Sequence, residues 1–213
     1  MQIDVWFDYA CPWCALGLAR LKVALADFEH GDEVRVRHRA FELAPRAPAR
    51  VEGSQEEHLR RKYGLSPSQV RAGHARLAAL GAEVGFTFDF ERVRSGSTFD
   101  AHRLTQAARG SAAEAALVAR LFDAHFGEGR LLSDHDVLRD VAGAVGLPAD
   151  LSEKVLAGTV GSAEVRADEA EAEARDVTGV PYFLIDDAWP IPGAQDVETL
   201  GLVLNRAWSR FGH

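Results

Sequence analysis

The stretch Cys11-Pro12-Trp13-Cys14 decides the fold, because it contains the only two cysteines of the chain. It follows the apolar residues 3–7 and precedes the amphipathic residues 15–28, which predicts a strand, a short turn and a helix. Residues three apart on a helix face each other. The partial positive charge at a helix N-terminus lowers the pKa of a cysteine there. The stretch therefore predicts a redox-active dithiol on the first turn of a helix.

The same pair could serve two other purposes, a structural disulfide or half of a zinc site. A disulfide here would close a loop of two intervening residues, and so short a loop stabilises a fold little. A zinc site usually has four ligands. The chain has no second cysteine pair, and its eight histidines lack metal-binding spacing. We therefore predict no metal site and interpret the pair as a centre of thiol exchange.

The composition restricts the class of partner. The net charge is -8, from 24 basic and 32 acidic residues, which argues against nucleic acid as a partner. No run of 18 apolar residues occurs, so we expect no membrane span. Residues 1–4 lead directly into the predicted strand without the features of a secretory signal, and we expect a cytoplasmic protein. Cytoplasmic thiols are kept reduced, so a lone Cys-x-x-Cys pair there is expected to be reactive.

The first part of the chain predicts a βαβ unit. A strand is expected at residues 2–8 and a helix at residues 11–29. Residues 33–41 alternate between apolar and polar, which predicts a second strand, parallel to the first because one helix separates them. One face of this strand carries Arg35, Arg37 and Arg39. We interpret the row as a strand face covered by acidic helix side chains, with an anion site as the alternative.

The remainder predicts a helical block followed by a second pair of strands. Residues 43–53 form a proline-bearing connection, and residues 54–176 read almost entirely as helical. The last helix of the block is very acidic, and we interpret its charges as a solvated face. A strand at 182–186, a hairpin partner at 189–191 and a closing helix at 196–211 follow. The predicted fold class is α/β, with residues 1–53 and 177–213 as one domain and residues 54–176 as a helical insertion domain.

Four segments together resemble a known family. They are Phe7-Asp8-Tyr9-Ala10-Cys11-Pro12-Trp13-Cys14, Thr98-Phe99-Asp100-Ala101-His102-Arg103, Thr178-Gly179-Val180-Pro181-Tyr182-Phe183 and Pro192-Gly193-Ala194-Gln195. In this order they are similar to the cytoplasmic FrnE-like branch of the DsbA family, and the resemblance covers essentially the whole chain. It implies the βαβ–ββα thioredoxin fold with a large all-helical insertion between the two halves.

The resemblance also implies roles for individual residues. Cys11 would be the exposed nucleophile and Cys14 the buried resolving thiol. The Val180-Pro181 bond would be cis and would lie opposite the dithiol. The residues expected to contact substrate are Pro12, Trp13, Phe99, His102, Val180 and Pro181. Two positions stay open: Trp13 as a lid over the dithiol or packed on the insertion, and His102 in the cleft or in the core.

The function implied by the resemblance is that of a thiol-disulfide oxidoreductase, with disulfide isomerisation as a further activity. Its substrates would be proteins or low-molecular-weight compounds that contain thiols or disulfides. No cofactor is required, and glutathione is a candidate redox partner. The alternative is a glutathione transferase of the kappa type or a 2-hydroxychromene-2-carboxylate isomerase, which share the layout. Because those enzymes use a single serine or cysteine toward glutathione, the presence of Cys14 favours the oxidoreductase.

Overall fold

The strands of the protein form one mixed sheet. The computed structural model describes residues 1–211. Its strands are β1 (Gln2–Phe7), β2 (Arg35–Ala40), β3 (Tyr182–Ile185) and β4 (Trp189–Pro192), in the spatial order β2-β1-β3-β4. β1 is parallel to β2 and antiparallel to β3, and β3 is antiparallel to β4. This is the βαβ–ββα thioredoxin arrangement that the sequence predicts.

Helices connect these strands. α1 (Pro12–Asp27) joins β1 to β2, and α9 (Val197–Phe211) follows β4. Between β2 and β3 lie α2 (Gln55–Tyr63), α3 (Pro67–Ala82), α4 (Phe99–Ala108), α5 (Glu114–Phe122), α6 (His135–Ala144), α7 (Ala149–Ala157) and α8 (Ser162–Ala174). Ser54 and Ser66 cap α2 and α3, each with the reciprocal hydrogen bonds of a capping box. Within residues 1–211 no helix combines the length and the apolar character that a membrane crossing requires.

Helices cover both faces of the sheet. α1 and α9 pack against each other and share a hydrophobic cluster with Val5 and Phe183. Because side chains alternate along a strand, the neighbouring residues Trp6 and Leu184 point to the other face, where they pack against Ala172 of α8. α8 lies inside the range predicted as an insertion, yet it is one of the layers that cover the sheet.

The arginine row on β2 faces this acidic helix. Arg39 binds Asp4 at 2.6 Å, Asp168 at 2.7 Å and Glu171 at 2.8 Å. Arg109, which follows α4, also binds Asp168, at 2.7 Å. The prediction that acidic helix side chains cover the row is confirmed for Arg39, whereas Arg37 binds Asp4 of β1 and Arg35 is exposed. The interpretation of the acidic helix as a solvated face is wrong for Asp168, which is buried because two guanidinium groups bind its carboxylate.

The helical block shares its hydrophobic core with the sheet. The ring of Phe122 on α5 lies 5.7 Å from that of Phe7 and 4.9 Å from that of Tyr9, measured between centroids. Leu104 and Leu121 of the block belong to the same cluster of buried residues as Phe7. One continuous hydrophobic core therefore includes residues from both sides of the predicted domain boundaries at residues 53 and 177.

Candidate active site

The two thiols lie at the start of α1. Cys11 is the residue before the first helical position, with an extended backbone (φ -97°, ψ 112°), and Pro12 begins the helix. The N–H of Cys14 donates to the carbonyl of Cys11 at 3.0 Å, so both cysteines belong to one turn. Both are free thiols. The local sequence therefore builds the dithiol turn as predicted.

Cys11 is far less open than the resemblance implies. Its exposed fraction is 6%, and that of Cys14 is 0%. The thiol of Cys11 donates to the carbonyl oxygen of Val180 at 3.6 Å, so the segment before β3 covers the sulfur. The expectation that Cys11 is exposed is therefore wrong, because this residue is almost fully buried. Cys11 keeps a small accessible area, whereas Cys14 keeps none.

The two thiols also differ in acidity. A hydrogen bond from the Cys14 thiol lowers the pKa of Cys11 below its ordinary value, against the opposing effect of burial. Backbone hydrogen bonds from Cys14 and Trp13 lower it further. Burial raises the pKa of Cys14 well above its ordinary value, and the neighbouring Cys11 raises it further. The pair therefore favours a thiolate at Cys11 and a thiol at Cys14.

The Val180-Pro181 segment approaches the dithiol from the far end of the sequence. Its peptide bond is cis, as the resemblance implies. The carbonyl of Pro181 accepts a hydrogen bond from the N–H of Gly193 at 2.8 Å, which fixes the segment to the end of β4. A Cβ atom on Gly17 of α1 would lie 3.0 Å from Cγ of Pro181. The glycine therefore permits the close approach of the proline to the dithiol helix.

Asp8 is a site residue that the sequence reasoning did not single out. Its buried carboxylate accepts hydrogen bonds from the N–H of Leu43 at 2.7 Å and the hydroxyl of Thr98 at 2.8 Å. Its carbonyl accepts the N–H of Cys11 at 3.0 Å. Burial alone would raise the pKa of Asp8, but His102 and these donors lower it below the ordinary value. A charged carboxylate therefore lies beside the dithiol, where its charge raises the pKa of both thiols.

His102 lies in the core beside this carboxylate. Its exposed fraction is 0%, and its Nε2 atom is 3.5 Å from Oδ1 of Asp8. Its ring packs at 4.9 Å from the ring of Tyr9 and at 5.4 Å from that of Phe7. The prediction that His102 contacts substrate is wrong, because a fully buried imidazole cannot reach one. It contacts the site through Asp8 instead.

The other predicted substrate residues differ in their accessibility. Trp13 is 39% exposed next to the dithiol, and Pro12 and Val180 are half-buried. Phe99 is half-buried too, but its ring lies 4.5 Å from the guanidinium carbon of Arg166. A second guanidinium, that of Arg103, lies 5.7 Å from the same ring. Two guanidinium groups therefore lie over the ring of Phe99.

A comparison with protein families bears directly on this arrangement. The model of the DSBA-like thioredoxin domain matches residues 2–205. The chain belongs to this family. The matched range contains the dithiol, Asp8 and the Val180-Pro181 segment, so the predicted fold class is confirmed.

Solved structures extend the comparison of this DSBA-like chain. The probable DsbA oxidoreductase SCO1869 from Streptomyces coelicolor is 38% identical, with a TM-score of 0.92 over 98% of this chain and 90% of that one. A 2-hydroxychromene-2-carboxylate isomerase is 20% identical, with a TM-score of 0.72 over 100% and 98%. The cytosolic disulfide reductase DsbM from Pseudomonas aeruginosa, in a structure with GSH, is 17% identical, with a TM-score of 0.66 over 97% and 98%. The last two share only the fold at these identities, whereas the first supports an oxidoreductase of the DsbA type.

The chemistry of the DSBA-like site rests on sulfur and on one carboxylate. Within residues 1–211 no three side chains of histidine, cysteine, aspartate or glutamate lie together as a metal site would require. The thiolate that Cys11 favours is a nucleophile, and the adjacent Cys14 can attack any disulfide that forms on it. Asp8 holds the turn between β1 and α1 through hydrogen bonds to Leu43 and Thr98.

Proposed function

We propose that the protein is a thiol-disulfide oxidoreductase of the FrnE-like type that exchanges disulfides through Cys11 and Cys14. The observation that supports this most directly is the asymmetry of the pair. The pKa of Cys11 is lowered and this residue keeps a small accessible area, while the pKa of Cys14 is raised and that residue is fully buried. A thiolate nucleophile and a protonated resolving thiol are the two states that exchange requires.

In the proposed reaction the Cys11 thiolate attacks one sulfur of a substrate disulfide. The Cys11–substrate bond forms, the substrate S–S bond breaks, and the released thiolate takes up a proton. Cys14 then loses its proton and attacks Cys11, which forms the Cys11–Cys14 disulfide and releases the second substrate thiol. The substrate gains two electrons and two protons: both electrons and one proton come from the Cys11 thiolate and the Cys14 thiol, and the second proton comes from solvent. In the reverse direction the Cys11–Cys14 disulfide oxidises a substrate dithiol, and isomerisation follows if the mixed disulfide is attacked by another substrate thiol.

The proposal includes a reducing partner and a compartment. A low-molecular-weight thiol such as glutathione, or a dithiol protein, would return two electrons to the oxidised pair. The disulfide reductase of the same fold, with GSH in its structure, supports glutathione as the first candidate to test. We propose the cytoplasm as the compartment, because the chain has no cysteine outside the reactive pair and structural disulfides are typical of oxidising compartments.

The variant Cys14→Ser tests the mechanism. It keeps the attacking thiol and removes the resolving one, so incubation with glutathione disulfide should leave one glutathionyl group on Cys11. Intact mass and peptide mapping would detect this adduct. Turnover of a disulfide substrate should fall about tenfold or more, because release must then wait for an external thiol. The matched control Cys11→Ser should form no adduct and show no turnover.

The same variant distinguishes the alternative function. A glutathione-dependent isomerase or transferase would need one nucleophile, and Cys14 would serve only for packing. Cys14→Ser would then leave the turnover of the wild-type protein nearly intact and trap no adduct. That result would contradict the dithiol mechanism and favour the function of the isomerase, a protein whose fold this chain shares.

A further inference from the structure

A basic groove lies along the connection between β2 and α2. It has a volume of about 890 Å³, and its lining includes Arg46, Arg50, Arg61, His58 and Glu52. The prolines and valine of the same connection supply an apolar part of the lining. The three guanidinium groups belong to exposed residues. The groove is therefore open to a ligand from solvent.

The arginines of the groove differ from the arginines that are paired with carboxylates in the protein. Arg39, Arg103 and Arg166 are each bound to carboxylates. In the part of the chain that the structure describes, Arg46, Arg50 and Arg61 have no carboxylate within 4.0 Å and no side-chain hydrogen bond. Beside them, the buried Nδ1 atom of His58 also lacks a hydrogen-bond partner. The protein carries a net charge of -8. Three unpaired cations against one lining carboxylate, that of Glu52, therefore give the groove a local charge of opposite sign.

Hydrogen bonds connect the groove to the dithiol turn. The lining residue Ala44 follows Leu43, whose N–H donates to the carboxylate of Asp8 at 2.7 Å. Pro48, also in the lining, accepts the N–H of Ser97 at 2.9 Å. The next residue in the chain, Thr98, donates to the same carboxylate at 2.8 Å. Two points of the groove are thus fixed to Asp8, which in turn binds the N–H of Cys11.

We propose that this groove binds carboxylate groups of the substrate, and that the substrate is an acidic polypeptide segment close to the cysteine undergoing exchange. The inference rests on the proposed function, because it names the substrate class of the same dithiol. A guanidinium group matches a carboxylate in a paired, charge-assisted geometry. In this proposal an extended segment with two or more Asp or Glu residues engages the separate arginines while its cysteine lies at Cys11.

The test compares two disulfide peptides that differ only in charge. One carries Glu residues beside the disulfide, and the other carries Gln at the same positions. The wild-type protein should turn over the Glu peptide with a KM about tenfold lower than that of the Gln peptide, as expected for several exposed ion pairs. The triple variant Arg46→Gln, Arg50→Gln, Arg61→Gln should raise the KM of the Glu peptide to that of the Gln peptide, with kcat unchanged.

A charge-matched control separates this effect from net charge. Arg206, Arg76 and Arg35 are exposed arginines outside the groove lining, and their triple change to Gln should leave the KM of the Glu peptide unchanged. Equal KM values for the two peptides with the wild-type protein would overturn the inference while leaving the proposed function intact. Failure to turn over either peptide, with no adduct on Cys14→Ser, would instead contradict the proposed function.

A second pair of substrates distinguishes a small ligand from a peptide. Glutathione disulfide and its neutral ester differ in their carboxylates alone. If the triple variant changes the KM of glutathione disulfide but not that of the Glu peptide, the acidic-polypeptide substrate is overturned and the groove is a site for a small anionic disulfide. If the Glu peptide alone responds, the proposed substrate class is supported.

Discussion

Replacing the buried carboxylate of Asp8 should affect both the stability of the protein and the acidity of the dithiol. In Asp8→Asn one oxygen remains. Either the N–H of Leu43 loses its acceptor, or the hydroxyl of Thr98 and the N–H of Ala10, which share the other oxygen, lose theirs. A buried donor without a partner costs about 1–3 kcal/mol. The substitution also removes the negative charge of Asp8, whose Oδ1 atom lies 3.5 Å from Nε2 of His102. We expect the free energy of unfolding at neutral pH to fall by about 2–4 kcal/mol, as measured by urea denaturation.

The pH dependence of this difference has a definite sign. The pKa of Asp8 is lowered in the folded protein, so its charged form stabilises the fold above the pKa of an unfolded aspartate, about 3.9. That contribution is lost as the pH falls below this value through the folded pKa. The difference in free energy of unfolding between wild type and Asp8→Asn should therefore be largest at pH 7 and should decrease below about pH 4. A gap that widens on acidification would contradict the assignment of a charged carboxylate.

The same variant should make Cys11 more acidic. The negative charge of Asp8 raises the pKa of Cys11, so its removal should move the pH midpoint of Cys11 alkylation by iodoacetamide to a lower value. Peptide mapping would assign the alkylated residue. The exposed aspartate Asp32 supplies the control, since Asp32→Asn should change neither the midpoint nor the stability. An unchanged or higher midpoint in Asp8→Asn would refute the reasoning.

Two further predictions concern the acidic helix and the thiol pair. Asp168→Asn should lower the free energy of unfolding by about 3–5 kcal/mol, because it leaves Arg39 and Arg109 without their shared buried carboxylate; a urea midpoint close to that of the exposed control Asp150→Asn would contradict this. In the reduced native protein, iodoacetamide should modify Cys11 well before Cys14, because only Cys11 is partly accessible and has a lowered pKa. Equal rates at the two cysteines, followed by mass spectrometry, would disprove the asymmetry.

The local features of the fold were predictable from sequence. The alternation of residues 33–41 predicts β2, and the serines at 54 and 66 predict the starts of α2 and α3 because capping depends on adjacent residues. The position of the dithiol depends only on a strand, a proline and a helix that are consecutive. The two cysteines and the approach of the Val180-Pro181 segment could therefore be predicted from the motif and the resemblance together.

The features that sequence reasoning missed depend on contacts between distant segments. Asp8 is a site residue because Leu43 and Thr98 donate to it, and nothing near Asp8 in the sequence shows those donors. Cys11 is nearly buried because the Val180 carbonyl covers it, although the two are 169 positions apart. Asp168 looked solvated within an acidic run, since its partner Arg39 comes from a strand 129 positions earlier.

The shared core of the helical block and the sheet means that the block cannot be removed as a module. A chain without it would expose the rings of Phe7 and Tyr9, which Phe122 covers. It would also leave the buried Arg39 without Asp168. The strand that leads to the dithiol and the helices around it therefore belong to one cooperative folding unit. Substitutions deep in the block should alter thiol reactivity at a distance, so thermal stability and redox behaviour should change together across variants of this chain.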